Sequence, residues 1–281
     1  MLKEFLAYLK STAPAGFLRP YWRALRKSRT DRKRLQDERR EFWAPSEEDE
    51  AFVRVYAEFL RSGDTVFDVG ANLGVRSREF HRLGCRVIAF EPQRECQEYL
   101  RRVFREEGRF VLVPAALGPE KGSAEMMVSR SSVLSTLSKG FIDATTQTGR
   151  FGEDAHWDGR ETVEITTLDD MIARFGTPRF IKIDVEGFER EVLQGLSSQV
   201  PALSIEFTAE YITGTYEALN HLRSLGEYEG QVMFNDSMDW KLPKWLPHED
   251  LVEALADITA QHRLSVGDVY VRFADRAEPP A

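Results

Sequence analysis

From Thr65 onward, short runs of consecutive apolar residues alternate with longer stretches in which apolar residues recur every three or four positions. The short runs predict buried strands, and the periodic stretches predict amphipathic helices. The predicted strands are 65–69, 86–90, 109–113, 180–184, 202–207 and 268–273, and the predicted helices are 73–83, 93–104, 168–175, 188–196, 216–225 and 249–261. This alternation is typical of right-handed βαβ units, so we expect an α/β fold with a parallel sheet.

Two segments do not follow this alternation. An acidic, periodic stretch over 46–63 predicts a further capped helix before the first strand. The segment 119–167 is rich in Ser, Thr and Gly and contains short strand-like pieces at 124–128 and 162–166. Because insertions of this length in a sheet protein usually form a lid or a substrate loop, we interpret it as one, with disorder as the alternative.

The charge is unevenly distributed along the chain. Residues 1–46 carry 12 Lys or Arg and 5 Asp or Glu, whereas the whole chain has 38 and 46 and a net charge of −8. The first 46 residues therefore have a net charge of +7, and residues 47–281 have a net charge of −15. An acidic body repels phosphate backbones, which disfavours a nucleic-acid-binding protein. We divide the chain into a basic helical extension, 1–46, and a main domain, 47–281.

The basic extension has three interpretations. The first is a helix that packs over the cleft of the main domain or on a second subunit of a homodimer. The second is an interfacial helix in peripheral contact with anionic lipid, because aromatic and apolar residues are interspersed with basic ones over 17–27. Contact with RNA is the third interpretation and the least favoured.

The chain shows no sign of export or of a covalent framework. No apolar run reaches the roughly 18 residues that cross a bilayer, and charged residues interrupt the first ten positions, where a signal peptide is apolar. The 2 cysteines, Cys85 and Cys96, are too few for a disulfide framework or a zinc site. We therefore expect a cytoplasmic protein with reduced thiols.

The clearest chemical signal lies between the first predicted strand and its helix, where 68–74 reads Asp-Val-Gly-Ala-Asn-Leu-Gly. Glycines let backbone N–H groups approach a ligand, and the helix N-terminus attracts an anionic group.

Glu91 ends the second strand 23 residues after Asp68, a position from which a carboxylate reaches the ribose hydroxyls of a nucleoside. The spacing Gly-x-x-x-Gly differs from the Gly-x-Gly-x-x-Gly of dinucleotide sites, so a nucleoside linked to an amino acid fits better than a dinucleotide.

Four motifs follow one another within 64–210. They are Asp-Val-Gly-Ala-Asn-Leu-Gly at 68–74, Phe-Glu-Pro at 90–92, Thr-Leu-Asp-Asp at 167–170 and Ile-Lys-Ile-Asp-Val-Glu-Gly at 181–187. Together they resemble the FkbM family of S-adenosylmethionine-dependent methyltransferases. The resemblance implies a Rossmann-like class I sheet of seven strands in the order 3-2-1-4-5-7-6. It also implies methyl transfer from S-adenosylmethionine, usually to an oxygen of a sugar or natural-product acceptor.

The resemblance also assigns residues to the cofactor. It implies that the methionine half contacts Gly70, Ala71, Asn72 and Gly74, that Glu91 holds the ribose, and that the adenine lies against Pro92, Ala115 and Ala116. Asp68 either helps to orient the loop and the ammonium group of the cofactor through water or caps the loop itself. The family often has Asn-x-Ala-Leu-Gly where 113–118 reads Val-Pro-Ala-Ala-Leu-Gly, so a polar contact to the adenine is absent there.

The fourth motif places two carboxylates at the end of a buried strand. Methyl transfer to a hydroxyl requires an aligned acceptor and removal of its proton as the bond forms. Asp184 is the candidate for this base or for contact with the ammonium group of the cofactor, and Glu186 is the candidate for orienting the acceptor. Helix capping by either residue is the structural alternative. We expect no metal, and an Mg²⁺ ion bound by both residues and by Glu206 is the competing hypothesis.

We therefore predict an S-adenosylmethionine-dependent O-methyltransferase that acts on a small-molecule or saccharide hydroxyl. Two alternatives remain: a nucleotide-dependent oxidoreductase on a Rossmann sheet and a catalytically silent protein that binds the cofactor. The candidate residues for a carbohydrate face, most of which have hydroxyl or aromatic side chains, are Ser131, Ser132, Ser135, Thr136, His156, Trp157, Tyr211, Asn235 and Trp240.

Overall fold

The computed structural model of the 281-residue chain describes residues 32–44, 47–152, 156–234, 237 and 239–273. Residues 1–31, which include the candidate lipid-binding helix, lie outside this part of the chain, as do Ser46 and Asn235. No described helix is long and apolar enough to cross a membrane.

The described residues form eleven strands and nine helices. The strands are β1 (Thr65–Val69), β2 (Arg86–Phe90), β3 (Phe110–Val113), β4 (Ala116–Leu117), β5 (Gly122–Val128), β6 (Gly159–Thr166), β7 (Phe180–Ile183), β8 (Ala202–Thr208), β9 (Tyr228–Phe234), β10 (Leu246–Pro247) and β11 (Val266–Phe273). The helices are α1 (Arg32–Phe42), α2 (Glu47–Tyr56), α3 (Val75–Arg82), α4 (Arg94–Val103), α5 (Lys139–Thr148), α6 (Leu168–Phe175), α7 (Glu189–Gln194), α8 (Ile212–Leu225) and α9 (His248–Gln261). Every strand and helix of the predicted alternation is present, with ends that differ by a few residues.

The larger sheet has eight strands in the order β3-β2-β1-β7-β8-β11-β9-β10. When its strands are numbered along the chain without β10, the order is the expected 3-2-1-4-5-7-6. The expected number of seven is corrected by β10, a two-residue strand that pairs antiparallel with β9. Strands β3, β2, β1, β7 and β8 pair in parallel, whereas β11 is antiparallel to both of its neighbours. The carboxyl ends of the parallel strands therefore meet at one edge of the sheet.

The described part of the insertion is folded. Its strands β5 and β6 form an antiparallel pair, and β4 pairs in parallel with β6, which makes a second sheet of three strands. Between β5 and β6 lie a 3-10 turn at Ser132–Leu134 and helix α5. The predicted strand-like pieces at 124–128 and 162–166 are confirmed as parts of β5 and β6.

The larger sheet is buried on both faces, as its continuous apolar strands predict. In β1, Phe67 and Val69 pack into one hydrophobic cluster, and Val66 packs into a second cluster on the opposite face. Asp68 in β1 and Lys182 in β7 interrupt this apolar pattern. They lie opposite each other and are almost fully buried. Since buried charges require partners, they indicate a polar network inside the fold.

Helix α1, the described end of the predicted extension, packs against α4. Phe42 is almost fully buried and meets Phe104 edge-on at a centroid distance of 5.2 Å. The indole N–H of Trp43 donates to the Val103 carbonyl at 3.0 Å. This end of the extension is therefore continuous with the core of the main domain.

We expect the Trp43→Phe variant to lower the free energy of unfolding by about 1 kcal/mol, because phenylalanine keeps an aromatic ring but removes the donor of the Val103 carbonyl. Equilibrium urea unfolding followed by circular dichroism measures this change. Leu35→Ala on α1 is the control, since Leu35 is 37% exposed and should change stability by less than about 0.5 kcal/mol. Equal losses in the two variants would contradict the packing of α1 through Trp43.

Candidate active site

A cleft lies at the carboxyl ends of β1, β2 and β7 and is shared with the insertion. Its space is about 690 Å³, including the open mouth, which is within the size range of small-ligand sites. The predicted site residues that line it are Gly70, Asn72, Glu91, Pro92, Ala115, Ala116, Asp184 and Glu186. The cleft therefore brings together residues that are more than a hundred positions apart in the sequence.

Gly70 allows the turn after β1 to pass close to the end of β7. Its φ is 83°, and a Cβ atom at this position would lie 1.8 Å from the Asp184 carbonyl oxygen. The amides of Gly70 and Ala71 both donate to the Phe90 carbonyl at 3.0 Å. Glycine is required here because only a residue without a Cβ atom permits this approach. The ends of β1, β2 and β7 converge on the cleft as a result.

Glu91 follows β2 and places its carboxylate against the turn after β1. The Asn72 amide donates to Oε2 and the Gln93 amide donates to Oε1, each at 2.7 Å. The residue is 2% exposed, and burial raises the pKa of Glu91 to about 7 despite these two hydrogen bonds. Each carboxylate oxygen can still accept a second hydrogen bond. The arrangement therefore fits a pair of ribose hydroxyls.

Much of the remaining lining is apolar. Pro92, Ala115 and Ala116, which the resemblance assigns to the adenine, share the cleft with Met126 and Val133 of the insertion. A flat aromatic base suits such walls. Met126 and Val133 are not among the predicted site residues, because no local pattern distinguishes an insertion residue that faces a ligand from one that packs inside the insertion.

Three residues predicted for the cofactor lie outside the cleft lining. Asp68 is buried and accepts a hydrogen bond from the Ser77 hydroxyl of α3 at 2.5 Å, and burial raises the pKa of Asp68. A Cβ atom on Gly74 would lie 2.6 Å from the Leu100 side chain of α4. Ala71 packs in a hydrophobic cluster. These contacts stabilise the turn after β1 from inside the fold.

Asp184, Glu186 and Glu206 form an acidic cluster at the ends of β7 and β8. Carboxylate oxygens of the three residues all lie within 4.8 Å of one another. The Lys182 side chain is 3% exposed, and its ammonium group lies 2.7 Å from Oδ2 of Asp184. Burial and the charge of Asp184 raise the pKa of Glu186 and Glu206 well above their ordinary value. The Asp184 carboxylate is thus paired with the Lys182 ammonium group, whereas the protonated forms of Glu186 and Glu206 are favoured.

The structure separates the residues predicted to face a substrate. Ser132, Ser135 and Thr136 line the cleft, whereas Ser131, His156, Trp157, Tyr211 and Trp240 are not part of the lining. Two of the aromatic residues have structural contacts instead. The Trp157 indole donates to the Leu134 carbonyl at 2.6 Å, and Trp240 packs on Tyr270 with the ring centroids 5.0 Å apart. The insertion thus reaches the cleft through its hydroxyl residues between 132 and 136.

Comparisons with known proteins place these residues in a family. The model of the methyltransferase FkbM domain matches residues 68–230, which is more than half of the chain. No curated protein sequence matches.

Three solved structures illustrate the similarity of this chain to known structures at low sequence identity. A putative O-methyltransferase from Klebsiella pneumoniae is 8% identical, with a TM-score of 0.41, and the match covers 89% of this chain and 93% of that chain. Precorrin-6y C5,15-methyltransferase from Geobacter metallireducens is 12% identical, with a TM-score of 0.39 and coverages of 82% and 94%. Aeropyrum pernix fibrillarin, in complex with natively bound S-adenosyl-L-methionine, is 9% identical, with a TM-score of 0.39 and coverages of 78% and 73%.

The family match includes every residue predicted for the cofactor or for catalysis, from Asp68 to Glu186. The residues of the cleft fit the cofactor of that family, because Glu91 retains acceptor capacity for a ribose and the apolar wall at Pro92, Ala115 and Ala116 suits a flat base. The oxidoreductase alternative is thereby excluded. This chain belongs to the FkbM family of methyltransferases, and S-adenosylmethionine is its cofactor.

Proposed function

We propose that this methyltransferase acts on a hydroxyl group of a saccharide or natural-product acceptor and that Asp184 is the base. The observation that carries the proposal is the acidic cluster beside the cofactor residues of the cleft. The Asp184 side chain is 35% exposed, so an acceptor can reach it from solvent. A hydroxyl acceptor needs such a base, because the hydroxyl loses its proton as the new bond forms.

The acidic cluster gives its members separate tasks. When bound, S-adenosylmethionine supplies a methyl group that is already activated by its sulfonium. Lys182 is hydrogen-bonded to Oδ2 of Asp184, so Oδ1 is the oxygen that takes the hydroxyl proton of the acceptor. Glu186 binds a neighbouring hydroxyl and aligns the attacking oxygen. The protein thus contributes alignment and proton removal.

The charge of the acidic cluster also restricts the acceptor. Carboxyl groups that hold protons donate hydrogen bonds as well as accept them, which suits hydroxyl groups. A phosphate or carboxylate on the acceptor would meet the charge of Asp184 on a body whose net charge is −15. We therefore expect a neutral acceptor with several hydroxyl groups.

Transfer of a labelled methyl group from S-adenosylmethionine to a matched panel of acceptors tests the proposal. The panel contains methyl glycosides and neutral polyols, their phosphorylated and uronic acid counterparts, and primary amines of similar size. We expect label in the neutral hydroxyl compounds and roughly tenfold less in the anionic counterparts. Transfer to amines alone would contradict the proposal. Binding of S-adenosylhomocysteine without transfer to any acceptor would support the catalytically silent alternative.

We expect dialysis against EDTA to leave methyl transfer unchanged, because the Lys182 ammonium group already balances the charge of Asp184. The measurement compares labelled transfer before dialysis, after dialysis and after Mg²⁺ is added back. Loss of activity on dialysis and recovery with Mg²⁺ would show instead that the acidic cluster holds a divalent ion.

A further inference from the structure

Two residues other than glycine have positive φ angles in the described part of the chain. They are Asn72, with φ 48°, and Glu186, with φ 56°. Both line the cleft, Asn72 after β1 and Glu186 after the neighbouring strand β7. A left-handed backbone is unfavourable for a residue with a Cβ atom and persists where surrounding contacts hold it. The contacts to these two residues therefore shape the cleft.

The insertion makes the first of these contacts through Ser132. The Ser132 hydroxyl donates to Oδ1 of Asn72 at 3.3 Å. The Gln93 side-chain amide in turn donates to the Ser132 carbonyl at 3.1 Å. The backbone amides of Asn72 and Gln93 both donate to the Glu91 carboxylate. Ser132 is thus tied to the cofactor side of the cleft.

Thr136 makes the second contact, four residues further along the insertion. Its hydroxyl donates to the Glu186 carbonyl at 2.7 Å and accepts from the Ser138 amide at 2.8 Å. Thr136 is 1% exposed, and its backbone exchanges two hydrogen bonds with Met127 of β5, at 2.9 and 3.0 Å. The Thr136 hydroxyl is therefore fixed in place by the smaller sheet and tied to the acidic cluster.

We propose that residues 132–136 of the insertion are a positioning element of the active site, in which Thr136 holds Glu186 on the acceptor side and Ser132 holds Asn72 on the cofactor side. The inference rests on the proposed function, since it places Glu186 on the acceptor side. Each hydroxyl acts through the left-handed residue that it contacts. Removing one or the other should therefore affect different properties of the enzyme.

Other contacts keep the loop at Glu186 folded when the Thr136 hydroxyl is removed. One carboxylate oxygen of Glu189 accepts hydrogen bonds from the amides of Val185 and Gly187, at 3.0 and 3.2 Å. These two amides flank Glu186 on both sides. Loss of the Thr136 hydroxyl should thus loosen the loop without unfolding it.

The first experiment compares Thr136→Val, which keeps the shape of the side chain, with Thr136→Ser, which keeps the hydroxyl. In Thr136→Val we expect kcat for labelled transfer to a neutral glycoside to fall about tenfold, with the KM for S-adenosylmethionine within about twofold of wild type. Hydrogen exchange of the 185–187 amides in the S-adenosylhomocysteine complex should be about tenfold faster in this variant. Thr136→Ser should resemble the wild type in both measurements.

Hydrogen exchange needs no acceptor, so it decides the role of Thr136 even if no hydroxyl compound is methylated and the proposed function fails. Unchanged exchange in Thr136→Val would overturn the inference. Equal changes in Thr136→Val and Thr136→Ser would also overturn it, because the hydroxyl would then have no role of its own.

The second experiment measures S-adenosylhomocysteine binding by calorimetry in Ser132→Ala. We expect the dissociation constant to rise about fivefold, while exchange of the 185–187 amides stays at the wild-type rate. Asn72→Gly supplies a second background, because glycine adopts the left-handed conformation without support. In that background Ser132→Ala should change the dissociation constant by less than about twofold.

Two results would overturn the role of Ser132. An equal loss of affinity in both backgrounds would mean that Ser132 contacts the cofactor itself and does not act through Asn72. An unchanged dissociation constant in both backgrounds would mean that the contact at 3.3 Å has no effect on the cofactor turn.

Discussion

The Asp184→Asn variant should lose most of its methyl transfer, with kcat lower by about 10³-fold, because an amide cannot take the proton of the acceptor hydroxyl. Asparagine keeps the size of the side chain and can still accept the hydrogen bond from Lys182, which is 2.7 Å from Oδ2. We therefore expect the dissociation constant of S-adenosylhomocysteine to stay within a few fold of wild type. Labelled-methyl kinetics and calorimetry measure the two quantities separately.

Asp143→Asn on α5 is the matched control, since the Asp143 carboxylate is 54% exposed and pairs with Lys139 on the same helix. This variant should keep full activity. Full turnover by Asp184→Asn would exclude Asp184 as the base. A large loss of S-adenosylhomocysteine affinity would assign Asp184 instead to the ammonium group of the cofactor.

The Glu91→Gln variant should bind S-adenosylhomocysteine on the order of 100-fold more weakly. In the wild type both carboxylate oxygens accept a backbone N–H, from Asn72 and from Gln93. The amide has one acceptor oxygen, so its NH₂ group must face one of these donors. The glutamine amide is also a neutral acceptor for the ribose, whereas the carboxylate is a charged one. Hydrogen bonds to a charged acceptor are stronger than those to a neutral acceptor. Calorimetry measures the loss.

Glu95→Gln is the control for this variant, because Glu95 is exposed on the neighbouring helix α4. Its affinity for S-adenosylhomocysteine should equal that of the wild type. If Glu91→Gln also kept wild-type affinity, Glu91 would not be the ribose ligand.

The wild-type affinity should also depend on pH. Burial raises the pKa of Glu91 to about 7, so the ionised fraction of the free protein increases as the pH rises through this value. As the predicted ribose ligand, Glu91 accepts two hydroxyls in its ionised form, so affinity should be higher at pH 8 than at pH 6. The Glu91→Gln variant should lose this dependence. If the dependence persists in that variant, another group is responsible.

The same pKa shift makes the stability of the free protein depend on pH in the opposite direction, so that stability falls as the pH rises. The folded state holds the proton of Glu91 more tightly than the unfolded state, whose pKa is 4.5. The resulting stabilisation is complete below pH 4.5 and is lost as the pH rises through about 7. Because the affinity for S-adenosylhomocysteine is expected to be higher at pH 8 than at pH 6, this ligand should raise the melting temperature more at pH 8.

Each buried strand of the alternating pattern is a short apolar run and is therefore predictable from the sequence. Strand β9 is an exception. The residue pattern does not predict β9, and only the family resemblance implies a further strand. Near its centre lies Gly230, and glycine is uncommon in strand interiors. A Cβ atom on Gly230 would lie 2.3 Å from the Leu251 side chain of α9. The Gln231 amide donates to the carbonyls of Leu242 and Lys244, so distant contacts decide this strand.

Helix α5 is a second element that the residue pattern does not predict. Its sequence, Lys-Gly-Phe-Ile-Asp-Ala-Thr-Thr-Gln-Thr, has few strong helix formers. It is held by Phe141, which is 1% exposed, and by a buried ion pair between Arg150, just after the helix, and Glu210. Glu210 is 60 residues from Arg150 in the sequence, so no local pattern contains this contact.

The sequence by itself determined the alternating α/β fold, the family, and the strand ends that carry Gly70, Glu91 and Asp184. Apolar runs, glycine turns and carboxylates at strand ends are local features with regular spacing, and a parallel sheet brings such ends to one edge. Only the tertiary structure decided that Asp68 faces inward to α3 and that Thr136 contacts Glu186, 50 residues further along the chain. Side-chain direction and contacts between distant segments depend on how the whole chain packs, and that packing is not a property of any one segment.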